Sequence, residues 1–280
     1  MKRLLTLALG SAMAVFLATP ASADTFIDLE TSGSSGTAGG AFYLQGETGP
    51  SGTGIFPAFS RVQANNQEEG LSTTANILDN TSDNTHNFSI LKSDLGVVTC
   101  SAAQALANQC VAGATYYEFH LDINEAGGGD EFLLLDDLEI WYSSVQNSTT
   151  YPVDGGTRVY DLSALNVSIL MDYSLEAGSG KADMTVLIPT SLLAGATSTQ
   201  WIYLYSSFGH LTSCPALGDN STEDAKCTAG VDYHSSDGFE EWNFNATQGG
   251  TFVPDGGSTL GLLGLGMLSL GYARRRFGKN

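Results

Sequence analysis

Tyr117-Glu118-Phe119-His120-Leu121-Asp122-Ile123 decides the fold. Apolar and polar residues alternate through it without a break, which is the period of a strand with one buried face. Tyr117, Phe119, Leu121 and Ile123 are therefore expected to point inward. A glycine-rich turn follows at Asn124–Glu131 (NEAGGGDE). Beyond it, in Phe132–Tyr142, Leu138, Ile140 and Tyr142 alternate with Asp137, Glu139 and Trp141. The two runs read as a β-hairpin with a long loop.

The same pattern extends outward in both directions. Upstream, Thr31–Gly40 and Gly46–Gly54 read as small-residue loops flanking a short strand, Ala41–Gln45. Asn65–Asn87 is polar and reads as a surface loop, with Leu71–Leu78 able to pair as an edge strand. Downstream, strands are expected at Arg158–Leu162, Asn166–Leu175 and Ala182–Ile188. Pro189 ends the last of these because proline has no donor for the ladder. Ser191–Ala194 suits one helical turn, and Trp201–Ser206 a strand with its aromatics on one face. A final strand falls near Trp242–Phe244. Short strands at about ten-residue spacing predict an all-β fold, an antiparallel, jelly-roll-like β-sandwich.

The 280-residue chain has a net charge of −19. Between Asp24 and Pro254 lie 29 carboxylates and five basic residues (Arg61, Lys92, Arg158, Lys181, Lys226). Such a field argues against nucleic acid, since phosphate contacts need clustered Lys and Arg. It suits extracellular solubility and attracts divalent cations. The four cysteines, Cys100, Cys110, Cys214 and Cys227, are even in number, which in an exported chain suggests disulfides. The local pairs Cys100–Cys110 and Cys214–Cys227 are the simplest of the three pairings. The spacing lacks the C-x2-C of common zinc sites.

The two ends read as addresses. Lys2 and Arg3, the apolar run Leu4–Leu17 and Ala21-Ser22-Ala23 form a secretory signal peptide, with cleavage expected after Ala23. At the other end, Val253–Asn280 reads VPDGGSTLGLLGLGMLSLGYARRRFGKN. Its uncharged Leu260–Ala273 run would rise roughly 21 Å as a helix, short of a hydrocarbon core of about 30 Å. Arg274, Arg275 and Arg276 follow, where the positive-inside bias keeps them cytoplasmic. This motif, apolar span and arginine cluster resemble the PEP-CTERM sorting signal of Gram-negative bacteria, in the form that reads Val-Pro-Asp-Gly-Gly-Ser-Thr. Asp255 stands where the commoner form has Glu. The resemblance implies processing by an exosortase at or near Val253–Asp255, with Gly256 completing the motif. It also implies export, a membrane-anchored intermediate, and delivery to the cell surface or an exopolysaccharide matrix. Trp201–Phe208 and Ser236–Trp242 are similar to closing segments of other PEP-CTERM ectodomains.

The chain thus divides into a signal peptide (1–23), a sandwich ectodomain (24–247), a spacer (248–252) and a sorting signal (253–280). The expected partners are the Sec translocon, an exosortase, the inner membrane transiently through the C-terminal span, and exopolysaccharide.

Chemistry concentrates in the acid-rich turn. Asp122, Asn124, Glu125, Asp130, Asp136 and Asp137 bracket Gly127-Gly128-Gly129. Calcium takes six to eight oxygen ligands on a backbone able to bend around it, so these residues are candidate calcium ligands. The spacing is not that of an EF-hand. Acid density alone also produces such clusters on a solvated turn. For glycoside hydrolysis, which needs two carboxylates across a cleft, Glu118 and Asp122 with His120 between them are better placed than the adjacent Glu240 and Glu241. Acids on the polar side of a strand are more often plain surface residues. Trp141, or Trp201 with Tyr203, could form a sugar-stacking platform unless a second sheet covers them. The expectation is a non-enzymatic surface or matrix protein. A calcium-dependent carbohydrate-binding module and a polysaccharide hydrolase are the alternatives.

Overall fold

The computed structural model describes residues 25–46, 57–81, 84–126, 131–178, 180–209, 233–236 and 238–247. In chain order the strands are β1 (Thr25–Asp28), β2 (Ser35–Ala38), β3 (Ala41–Gln45), β4 (Ser60–Val62), β5 (Glu68–Leu71), β6 (Ile90–Leu91) and β7 (Val97–Thr99). After the short helix α1 (Ala102–Leu106) come β8 (Thr115–Asp122), β9 (Phe132–Ser143), β10 (Thr157–Asp161), β11 (Val167–Asp172), β12 (Met184–Pro189), β13 (Trp201–Phe208) and β14 (Glu240–Phe244). They form two packed sheets. The first runs β1-β11-β9-β13-β5, with β10 also on β9 and β6 also on β13. The second runs β2-β3-β12-β8-β14-β4, with β7 also on β8. Pairing is antiparallel except between β1 and β11, which run parallel.

The alternation in β8 faces as expected. Tyr117, Phe119, Leu121 and Ile123 all enter the inter-sheet core. The hairpin does not form. β8 lies in the second sheet between β12 and β14, and β9 in the first sheet between β13 and the β10–β11 edge. The acidic connection after Asp122 therefore crosses from sheet to sheet. Alternation reports that one face is buried but not which strand lies beside it.

β9 carries a second feature. Leu133 and Leu135 are inward, then Leu138 and Ile140. The change from odd to even is a β-bulge: Asp137 pairs with Ser207 and Leu135 with Phe208, leaving Asp136 as the extra residue. The bulge keeps both halves of the strand facing the same core.

Three other expectations are revised. Thr31–Gly40 is not all loop, because Ser35–Ala38 pairs with β3 through Gly39-Gly40. Both glycines have positive φ (55° and 84°), which a two-residue hairpin turn requires. The edge strand of the polar segment is Glu68–Leu71, ending at Leu71 where Leu71–Leu78 was expected to pair. Finally, Asn166–Leu175 is strand only to Asp172, after which Tyr173–Leu175 forms a 3-10 turn.

The outer faces are padded by connections. On the second sheet, Leu44, Tyr116 and Leu187 pack beneath the Cys100–Cys110 loop. That disulfide closes a separation of ten residues. Cys214 and Cys227 lie outside the described residues. No helix among the described residues is long and apolar enough to cross a membrane. The signal-peptide and sorting segments, with Ala21, Ala23, Val253, Pro254, Asp255, Gly256, Arg274, Arg275 and Arg276, lie outside them too.

Candidate functional site

The crossover divides the proposed calcium ligands between two places. Asp122 is fully buried, and its Oδ2 accepts the Gly180 N–H. Asn124 Nδ2 donates to the Phe239 carbonyl at 2.9 Å. Glu125 Oε2 accepts the Ser236 N–H at 2.8 Å. These three brace the end of the second sheet. Asp137 instead sits on the outward side of the first sheet, where its Oδ1 accepts the Ser163 N–H at 3.0 Å. Asp136 is half-buried at the bulge. Asp130 falls outside the described residues.

Asp137 is brought together with Glu139 and Asp161, their oxygens all within 4.8 Å of one another. Glu139 and Asp161 were not expected as ligands. Strand period explains the grouping, since 137 and 139 share a face and Glu139 pairs directly with Asp161 across the strands. Glu139 is 1% exposed. It accepts from Trp141 Nε1 at 2.6 Å and from the Tyr151 hydroxyl at 3.0 Å, and it pairs with Arg158. Arg158 also reaches Asp161 at 2.8 Å and lies 5.4 Å over the Trp141 ring. Burial pushes Asp137 up to about 6, opposed by the Ser163 N–H and reinforced by the charges of Glu139 and Asp161. The guanidinium already supplies the positive charge that a bound cation would bring.

The aromatic row lies on this same outer face, and it is covered. Trp141, Tyr203 and Tyr205 pack with Leu71 and Val153. Tyr151 stacks on Tyr205 at 4.3 Å between centroids. The Tyr203 hydroxyl donates to the Val145 carbonyl at 2.6 Å and accepts the Ser148 N–H at 2.9 Å. The cover is the 144–153 connection; a second sheet was expected. Trp201 stays half-buried at the edge.

Glu118 and Asp122 share the outer face of the second sheet, as expected, but each is engaged. Glu118 Oε2 accepts Asn245 Nδ2 at 2.9 Å, and His120 Nδ1 lies 3.2 Å from Thr185 Oγ1. Burial lowers the His120 pKa, against the pull of Glu118. Glu240 and Glu241 face opposite ways. Glu241 pairs outward with Arg61. Glu240 points inward, on the same side of β14 as Trp242 and Phe244.

Glu68, Glu240 and Asp183 are also buried, which the sequence pattern did not lead one to expect. By parity, however, Glu240 is in phase with Trp242 and Phe244. Asp183 Oδ2 accepts the Ile123 N–H at 2.8 Å; burial holds its pKa well above the usual carboxylate value, and the charge of Asp122 adds to this. Glu68 Oε2 accepts the Ala64 N–H at 2.8 Å. Burial raises the Glu240 pKa strongly, followed by the hydrogen bond and charge of Glu68 and the charge of Glu125.

Comparison with known proteins bears on the C-terminus alone. No curated protein and no solved structure matches the chain. Residues 253–277 match the family described as the VPDSG-CTERM motif; Gly256 stands where that name has Ser. The chain therefore carries a C-terminal sorting motif of the kind read by exosortases, which implies an exported, exosortase-processed protein.

Proposed function

We propose that residues 24–247 are the cargo of that signal: a non-catalytic, jelly-roll-like sandwich displayed on the cell surface or in the exopolysaccharide matrix of a Gram-negative bacterium. The single observation that carries this reading is the motif at residues 253–277. The strongly acidic composition supports it, since a large net charge keeps an exposed protein soluble and apart from anionic lipid. A structural use of the acids is supported by their bonding: Glu118, Asp122 and Glu139 each accept internal hydrogen bonds. The cover over Trp141 and Tyr203 weighs against a ready sugar-stacking face.

The test is the intact mass of the protein recovered from the cell surface. The mass expected begins at Asp24 and ends near Val253–Asp255, and Asp255→Ala should leave the tail in place. Full-length chain accumulating in the cytosol would overturn the proposal.

A further inference from the structure

Glu68 and Glu240 occupy inward positions on opposite sheets. Glu68 pairs in register with Phe208, and Glu240 with Val62. Both partners belong to the inter-sheet core, and directly paired residues point to the same side of a sheet. The two glutamates are 1% and 0% exposed. Their carboxyl groups come within hydrogen-bonding reach of each other. Glu68 Oε1 and both oxygens of Glu240 have no donor in full hydrogen-bond geometry, although Ser235 approaches Glu68 and the Asn124 N–H approaches Glu240. The ion pairs of Arg61, Arg158 and Lys181 among the described residues go to other acids. Two ionised carboxylates in contact inside a protein repel strongly, and each is costly to desolvate. Either a shared proton or a cation must therefore lie between them.

We propose that Glu68 and Glu240, with Glu125 beside them, form a site for a calcium-like divalent cation that ties the two sheets together. The remaining oxygens are already oriented by neighbours, as metal-binding carboxylates commonly are. The Ala64 N–H holds Glu68 Oε2, and Ser236 holds Glu125 Oε2. The oxygens of the three glutamates do not all close to within 4.8 Å, as those of Asp137, Glu139 and Asp161 do. At least one of the three must then reach the ion through water; that role is assigned to Glu125, whose Oε2 is held by Ser236, and direct binding to Glu68 and Glu240. The Asp137 group, although tighter, already holds Arg158. Extracellular calcium modules work at about 10⁻⁴–10⁻³ M, so the site would fill after export.

Trp242, two residues from Glu240 on the same inward face, provides a probe. Terbium is added to the full-length chain in mild detergent, after treatment with a chelator, and its emission is excited through tryptophan. Sensitised emission that calcium displaces is expected, together with a calcium-dependent rise in melting temperature. Glu240→Gln removes a direct ligand, so both responses should be lost. Should that variant fail to fold, Glu68→Gln serves in its place. Asp137→Asn is the control for diffuse binding to the acidic surface and should change neither response. Two results would overturn the proposal: calcium leaving the melting temperature of the parent unchanged, which would indicate that a shared proton joins the pair, or equal loss of emission in Asp137→Asn.

Discussion

Replacing both Cys100 and Cys110 by alanine tests whether the loop between them is closed by entropy or by packing. The bridge spans a separation of ten residues. Loop-closure entropy for that length contributes roughly 2.7 kcal/mol at 25 °C. The native loop has other restraints, so it should stay docked when the bridge is gone. Ser101 and Gln104 form a capping box at the start of α1. The Cys100 N–H donates to the Ala114 carbonyl at 2.9 Å, and the Val111 N–H to the Tyr116 hydroxyl at 3.1 Å. Leu44, Tyr116 and Leu187 keep their cover. The loss should then come through the unfolded chain alone. For a domain of this size that is a fall of about 5–11 °C in melting temperature, with the tyrosine near-ultraviolet circular dichroism unchanged. Urea titration of the parent and double variant measures it. A loss below about 1 kcal/mol, or a changed tyrosine signal, would refute the reasoning.

Four further substitutions probe the rest of the fold. Because Asp137 moves from 3.8 to about 6 on folding, the folded chain holds that proton more tightly than the unfolded one. Its contribution is complete below about pH 4 and is lost as pH rises through about 6, so Asp137→Asn should flatten the stability profile there, and an unchanged slope would count against it. At Gly209 (φ +74°), an added Cβ would lie 2.1 Å from the Asn66 carbonyl oxygen; Gly209→Ala should cost at least about 2 kcal/mol by denaturant titration. Gly33→Ala, at φ +77° with open space around it, should cost only about 1 kcal/mol, and equal losses at the two sites would refute the steric account. Phe119→Ala, in the middle of the core and 6.2 Å from the Phe59 ring, should lower stability by about 3–5 kcal/mol.

Local information was sufficient for the elements but not for their partners. The period-two pattern of Tyr117–Ile123, the turn residues and Pro189 were enough to place β8, β12 and β13 and to choose the inward side of each. The phase change between Leu135 and Leu138 was present in the sequence as well, and it marks the bulge at Asp136. The C-terminal address needs no folding to be legible, because a signal of that kind is a linear string of residues; it is matched at residues 253–277.

Only the tertiary structure decided where the acids went. Strand alternation assigns a polar residue to the far face, and it cannot say whether a connection later covers that face. Glu139 is outward by period and still 1% exposed, because Tyr151 and Arg158 close over it. Asp122 and Asp137 look like neighbours across a turn, but the crossover sends them to different sheets. Glu68 and Glu240 are far apart in the chain, and they meet because β5 and β14, in opposite sheets, both turn them into the space between the sheets. Sheet pairing and the routing of connections are long-range choices set by the burial of the whole core, and no window of sequence contains them.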